Sequence, residues 1–543
     1  MSFNSWSATA TLGDLLVRSA NRFGSRKAIV FSESEMTYAE LLDGSVAVAR
    51  GIIGLGIAPR SHIGLLANNG HELVTGLFGA WLANCVAVPL NARHKAHELG
   101  FIIDNSQIVL LLSAAGDVTH VDFRDNIASA LPSLACTSSN KLELPEAAAL
   151  RNIVLLSGKA PQGFMDAKEF AAAGDKVTAD DVDHRRRCTK LRDIATIIYT
   201  SGTTANPKGC MLTHEAMSRG PVERAEKRFR SGEYDVTWGG GPLFHIGSLA
   251  PFIGSIGASG TYLTDTFFNP ERAVALMARN GVTAMWPWFP AILQPLLDQP
   301  NFVAATEKLR SMLLIGPETL VNRVQQLLPQ AEIMQACGMT ETAGIFALSD
   351  PDETPTQRAT SNGKAVPGIE LRIVDERGFD VPPNAVGEVL VRGYCVMEGY
   401  YRDTTKSAEA LDKDGWLHTG DLYTRSTEGR LVFHGRAKDM LKVGGENVAA
   451  IEVEAFLCSH PAVRIAEIVG RPDQRLDEVP VAFVELMPGT QVSADDLIAH
   501  CKGRIAGYKV PRAVYFLNAE DWPMSATKVN KRALRAWLAE LAP

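Results

Sequence analysis

The chain is short of several things that usually narrow a function. Its eight cysteines (Cys85, Cys136, Cys188, Cys210, Cys337, Cys395, Cys458 and Cys501) form no CxxC pair. Such scattering speaks against a zinc cluster or a disulfide scaffold and fits free thiols in a reducing cytoplasm. Neither sign of charge prevails: the net charge of −7 gives no general attraction to nucleic acid or anionic lipid. The opening "MSFNSWSATATLGDLL" lacks a basic region followed by an apolar block, so no signal peptide is expected. A long run of Leu, Ile and Val is missing too. Residues 236–264 contain no Asp, Glu, Lys or Arg, but their glycines, Pro242 and His245 favour a buried helix and strand over a membrane span. No internal period marks a repeat protein.

What is present is an ordinary globular composition on a chain too long for one core. Of its 543 residues 46% are hydrophobic and 21% charged, so two to four domains or subdomains are expected. Short apolar runs alternate with helical patterns: strands at 27–31, 62–67 and 86–91, helices at 37–56 and 71–85. Such alternation implies βαβ units and a mostly parallel, doubly wound sheet. The basic run "DHRRRCTKLRD" (183–193) reads as a solvated loop. Past residue 365, "GIELRIVD", "GEVLVRG" and "GRLVFHG" read as antiparallel strands. From about residue 440 a smaller α+β unit follows, with a helix from Ile451, a helix opened by Ser493 and Asp496, and a last helix near 529–541.

One loop stands out. "YTSGTTANPKG" (Tyr199–Gly209) follows the apolar run "DIATII" and precedes a helix expected near Thr213. Hydroxyls, backbone N–H groups and a lysine at such a turn can converge on a phosphate. It is not a P-loop: counted from Gly202, Pro207 stands where the second glycine belongs and Gly209 where Ser or Thr belongs. "GLGIAP" (54–59) fails as a dinucleotide fingerprint, HExxH is absent, and "GASGT" (257–261) misses GxSxG at its last position.

The same loop resembles the signature YTSGTTGxPKG of the adenylate-forming superfamily, which holds acyl-CoA synthetases, luciferases and peptide-synthetase adenylation domains. Further segments match in the family's order: "CGMTE" (337–341), "WLHTGDL" (416–422), the hinge segment "GRAKDMLKVGGENV" (435–448) and the lysine loop "PMSATKVNK" (523–531). "PLFHIG" (242–247) resembles the acyl-site segment of the CoA ligases.

The resemblance implies an α/β fold. A large N-terminal domain (1–437), with doubly wound β/α subdomains and a small β-barrel-like subdomain, would carry a mobile α+β lid (438–543) hinged at Lys438. It implies ATP, Mg²⁺ and CoA as cofactors and a two-step reaction. A carboxylate attacks the α-phosphate of ATP to give acyl-AMP and pyrophosphate, and the CoA thiol then displaces AMP. Joining two anions requires positive charge at the reacting atoms. By resemblance, Thr200, Ser201, Gly202, Thr203, Thr204 and Lys208 would hold the β- and γ-phosphates. Thr200 and Glu341 would bind Mg²⁺, and Thr340 the α-phosphate. Gly316, Gly338 and Met339 would border the nucleotide. Asp421, beside Arg436, would accept the ribose hydroxyls, and Lys528 would reach in for adenylation. Lys442, Gly444, Gly445 and Glu446 would serve the nucleotide or CoA. Each residue also has a structural reading: Asp421 as a turn cap, Glu341 as a helix-start carboxylate, Lys528 as a solvated lysine.

The sequence departs from the pattern at Ala205, at Cys337 in place of the adenine-stacking aromatic, in "LLIGPETL" (313–320), and in the missing glycine before Lys528. These departures suggest a divergent but active branch, with weaker adenine stacking. The acyl wall would draw on Trp238, Phe244, His245, Trp286, Trp288, Phe289, Gly344 and Ile345, with His245 counted among the catalytic candidates. "MWPWF" (285–289) fits core packing equally well. With no acidic residue for a substrate amine, a hydrophobic small-molecule carboxylic acid is expected: fatty, aryl-alkanoic, alicyclic or steroid-derived. A non-CoA acceptor and an inactive nucleotide- or acyl-binding homologue remain as alternatives. A cytoplasmic enzyme without an integral membrane segment is expected, with peripheral membrane contact and a homodimer both left open.

Overall fold

Helices start where the sequence supplies a cap. Thr37 accepts from the Glu40 N–H at 3.2 Å while Glu40 accepts from the Thr37 N–H at 2.8 Å, and this reciprocal box opens the helix Tyr38–Gly54. Ser493 and Asp496 make the same box before the helix Ala494–Cys501. The computed structural model describes residues 9–117, 121–137, 141–200, 207–437, 440–443, 446–473, 475–525 and 528–541.

Two seven-stranded sheets dominate. One runs in the order Glu332–Met334, Ser311–Leu314, Ala284–Trp288, Val236–Gly239, Thr261–Leu263, Lys27–Val30, Glu35–Thr37, parallel except at its last edge. The other runs Lys208–Thr213, Ile194–Thr200, Val86–Pro89, His62–Leu66, Ile108–Ser113, Asn152–Leu155, Met165–Asp166, with one antiparallel edge. The helices Leu12–Phe23, Tyr38–Gly54, His71–Leu82 and Ile246–Gly257 bury their apolar faces in a core shared with both sheets. Trp81 is fully enclosed there and donates its indole N–H to the Ala195 carbonyl at 2.9 Å. The uncharged stretch is the strand–helix–strand unit of this core, and among the described residues no helix is long and apolar enough to cross a membrane.

A four-stranded antiparallel sheet follows, built from Ile369–Val374, Gly387–Gly393, Leu417–Arg425 and Leu431–Arg436. Beyond it, the strands Glu446–Ala449, Met440–Val443, Asp477–Leu486 and Val463–Asp473 form another sheet, with Ala513–Phe516 parallel to Asp477–Leu486. Two apolar clusters of its own lie here, one around Val453, Leu457 and Leu497, the other around Trp522, Leu534 and Leu538. This unit touches the larger one through an ion pair of 3.1 Å between Arg464 and Asp298.

One expectation is corrected in part. The first five residues of the basic run are helical: a Thr178–Asp181 capping box opens the helix Ala179–Arg187. Two of its arginines are tied down, Arg186 to Asp14 and Asp183, and Arg185 to the Ile57 carbonyl at 2.9 Å, while Arg187 and Arg192 stay largely exposed. Carbonyls left open at other helix ends give these cations partners that composition alone does not reveal. The phosphate-type loop leads first into the strand Lys208–Thr213, which pairs antiparallel with Ile194–Thr200. The helix then begins at His214, capped by Thr213, where the sequence placed it.

Gly54 ends its helix against the segment after Phe170, where a Cβ would lie 1.9 Å from the Ala173 carbonyl oxygen. Gly54→Ala is therefore expected to destabilise the fold by about 1–3 kcal/mol, measurable as a lowered urea midpoint with an unchanged slope.

Candidate active site

The strand pair that ends in the signature loop sets the first half of the site. Thr200 and Lys208 face each other at the last rung of the ladder, so both emerge at the same edge. Ser201, Gly202, Thr203 and Thr204 lie outside the described residues. Next to Lys208–Thr213 runs the segment 398–401. The Met211 N–H donates to the Gly399 carbonyl at 3.0 Å, and the Tyr401 N–H donates to the Gly209 carbonyl at 2.7 Å. This pairing delivers Tyr400 between two charges. Its ring lies 4.9 Å beneath the Lys208 ammonium, and its hydroxyl donates to Glu341 Oε1 at 2.8 Å. Burial and then the Glu341 charge raise the Tyr400 phenol far above its ordinary range, so it remains a donor.

Glu341, only 9% exposed, sits in the short turn between the strands Ala336–Met339 and Gly344–Leu348. The turn is made by Ala343 and Gly344, both at positive φ (49° and 101°). At Gly338 a Cβ would fall 2.6 Å from the Gly344 carbonyl oxygen, so only glycine closes this hairpin. Gly338 is itself exposed, whereas Cys337 beside it is buried, and burial raises its thiol. Gln335 ties the Gly316 loop to this hairpin: its Oε1 accepts from the Gly316 N–H at 3.3 Å and its Nε2 donates to the Arg358 and Ala359 carbonyls.

The second half comes from the four-stranded sheet and the C-terminal unit. Asp421 and Arg436 are ladder partners joined by an ion pair of 3.0 Å, with the carboxylate largely buried and the guanidinium half exposed. The Lys528 ammonium stands 4.6 Å from the Phe289 ring centre. Its side chain stays open to the cleft, yet protein surrounds it. Desolvation pushes it down to about 8, Arg436 adds in the same sense and Asp421 opposes. His245 caps the helix Ile246–Gly257 by accepting the Gly247 N–H at Nδ1, 3.1 Å away. Burial and then Lys528 push its imidazole down to about 4; an edge of the ring remains accessible, so the firm conclusion is a neutral ring at pH 7. Trp288 holds φ +65°, a costly conformation for a bulky residue, and its indole N–H donates to the Gly247 carbonyl at 2.5 Å.

Lys208 and Glu341 thus meet through Tyr400, with Thr200 across the ladder, while Lys528 stands within the fields of Asp421, Arg436 and His245, beside which Trp288 is tied to Gly247. Gly444 and Gly445, Lys438, which was expected at the hinge, and the side chains of Lys442 and Glu446 are outside the described residues. Two aromatics expected on the acyl wall belong elsewhere. Trp238 packs with Val30 and Leu263 on the opposite face of its sheet, because side chains alternate along a strand and Thr237 takes the other face. Phe244 joins the core around Ile197 and Leu90. Tyr400 escaped the sequence reading, its one signal being the doublet "GYY" at 399–401. Among the described residues no three His, Cys, Asp or Glu side chains converge as a metal cage. Glu341 and Thr200 offer the hard oxygen donors that suit Mg²⁺ when phosphates and water supply the rest.

Comparison with known proteins gives the family. The AMP-binding enzyme model matches residues 16–401 and the AMP-binding enzyme C-terminal domain model residues 452–528. The chain belongs to the AMP-binding enzyme family, within the adenylate-forming superfamily, and is an AMP-forming ligase. A Mycobacterium tuberculosis relative, a CoA ligase named for a methyl-dioxo-octahydro-indenyl propanoyl group, is 31% identical over 97% of this chain and 98% of its own. The mitochondrial medium-chain acyl-CoA ligase of Homo sapiens is 26% identical over 97% and 87%. In fold, the chain is similar to an anthranilate CoA ligase in complex with anthranoyl-AMP (TM-score 0.83, 24% identity, 99% of each chain). It is also similar to the o-succinylbenzoate CoA synthetase of Bacillus subtilis (TM-score 0.76, 26% identity, 96% and 97%).

A lysine pushed down to about 8 is about half neutral at pH 8. Lys528 is therefore expected to react with an acetylating reagent at pH 8 faster than surface lysines, slowing by about tenfold per unit as the pH is lowered below 7. Peptide mapping reads the difference, and equal labelling of Lys528 and surface lysines would contradict the environment described.

Proposed function

We propose that the chain is an ATP-dependent acyl-CoA synthetase for a hydrophobic carboxylic acid. The observation that carries this reading is Lys528: a residue of the C-terminal unit stands in a cleft among His245, Phe289, Asp421 and Arg436. That is where a cation is needed when a carboxylate meets the α-phosphate.

The roles are those the family resemblance implies, and the positions of the described residues support them. Lys208 and Thr200, with residues 201–204, hold the β- and γ-phosphates, and Tyr400 braces Lys208 against Glu341. Glu341 and Thr200 hold Mg²⁺, which would draw charge from the phosphates. Thr340 meets the α-phosphate. The nucleotide lies over exposed Gly338, beside Met339 and the Gly316 loop, while Asp421 receives the ribose hydroxyls with Arg436 alongside. Cys337 is buried and offers adenine no ring. The acid lies along His245, Trp288, Gly344 and Ile345; neutral His245 lets its carboxylate pass without trapping it in an ion pair. The unit 438–543 acts as a lid hinged at Lys438, which after adenylation turns Lys442, Gly444, Gly445 and Glu446 toward CoA. The relatives' names, medium-chain acyl and bicyclic propanoyl, support an acid of intermediate size. Free thiols at all eight cysteines support a reducing compartment such as the cytoplasm.

Pyrophosphate release with MgATP and a panel of carboxylic acids tests the reading, with thioester formation followed on adding CoA. Lys528→Ala is expected to slow pyrophosphate release by about 10²–10³-fold, the usual cost of removing one positioned charge, while thioester formation from supplied acyl-AMP changes far less. Equal losses in both half-reactions, or no acid-dependent pyrophosphate, would refute the assignment.

A further inference from the structure

Three arginines of the large unit are buried, and two of them are neutralised. Arg228 (9% exposed) forks onto Glu332, with its two terminal nitrogens 2.9 and 2.8 Å from the carboxylate oxygens. Arg358 (8% exposed) reaches the same carboxylate at 3.4 Å. Arg224 (7% exposed) is different. Its Nη1 donates to the Ile345 carbonyl at 3.2 Å, its Nε has no partner, and no carboxylate among the described residues pairs with it. Neighbouring Glu223 is taken by Lys227 at 2.8 Å. A guanidinium does not shed its proton to escape burial, and a buried cation without a counter-group is expensive.

Arg224 lines a small cavity shared with Ser231, Thr237, Ala250, Ser255 and Trp286. A second unmet donor lies there: the hydroxyl of Ser255, a residue 2% exposed, also has no partner. The cavity adjoins the acyl wall. Arg224 holds the carbonyl of Ile345, a Cβ on Gly344 would lie 3.9 Å from its Nη2, and Trp286 packs 5.4 Å from Trp288. Ala250 and Ser255 follow His245 along one helix, which places the cavity roughly 8–15 Å beyond His245 at 1.5 Å per residue.

We infer that the acid this enzyme activates carries an acceptor oxygen, keto or carboxylate, at the end remote from its reacting carboxylate, and that Arg224 and Ser255 hold it. The assignment rests on the adenylation reading above for the acid's direction. The cavity has room for about one water-sized group. A terminal oxygen fits that space and meets the Nε–Nη2 edge, which is shaped for such an acceptor. A terminal methyl would fill the space and leave both donors unmet, which is how a polar site rejects an apolar analogue.

The test uses the full chain, a non-hydrolysable ATP analogue and acids of several matched lengths. Each length is offered as the plain alkanoate, the terminal methyl ketone and the α,ω-dicarboxylate. Calorimetry gives each Kd, and pyrophosphate release with ATP runs in parallel. At the best-fitting length the ketone or the dicarboxylate is expected to bind at least ~10-fold tighter than the alkanoate, and the better of the two names the group. Arg224→Met should bring that ratio near one. Arg224→Lys, which keeps the charge without the fork, and Ser255→Ala should lower it partway; these also serve if the Met variant fails to fold. Alkanoates binding as well as both oxygenated acids at every length, or variants weakening all acids equally, would overturn the assignment. The preference is read without turnover. Selective binding with no pyrophosphate from any acid would therefore uphold Arg224 and overturn adenylation.

Discussion

Joining two anions requires a positive charge where they meet, and on the reading proposed above Lys528 supplies it. Lys528 sits on a segment whose anchors belong to the C-terminal unit, yet its ammonium lies against Phe289 and within the fields of Arg436, Asp421 and His245. The surroundings push it toward losing its proton, and only Asp421 resists. An anionic ligand entering the cleft would restore the charged form, so the lysine is poised to respond to what binds.

The opposite wall is made rigid by β-structure. A strand pair presents Thr200 and Lys208 at one edge, and the segment carrying Tyr400 is stitched beside it. Tyr400 joins Lys208 to Glu341 by an aromatic face on one side and a hydroxyl on the other. Glu341 in turn depends on a hairpin that closes only with glycine at 338. Cation, ring and carboxylate hold one another in place, which is the preorganisation an electrostatic site needs. The same hairpin continues into Ile345, whose carbonyl anchors Arg224, so the proposed nucleotide and acyl regions would share one backbone support.

Much of the element order was legible from pattern. Strands at 27–31 and 62–67 and the helix near 38–54 follow from apolar spacing and caps, and the Ser493 box marked its helix. Misreadings occurred where partners come from far along the chain. Arg185 and Arg186 looked solvated because their distant acceptors, the carbonyl of Ile57 and Asp14, lie well over a hundred residues away. Trp238 looked available to a ligand because a sequence does not state which face of a strand meets which layer.

The order of short motifs, each demanding its own glycine, hydroxyl or charge, was enough by itself to determine the family and the reaction class. Those features are local, since loop chemistry depends on residues within a few positions of one another. Only the tertiary structure decided that Tyr400 lies between Lys208 and Glu341, that Cys337 is buried, and that Arg224 has no counter-charge among the described residues while Arg228 and Arg358 share one. Pairing of charges is a matter of distance in space, and the chain brings Glu332 to two arginines and not to the third.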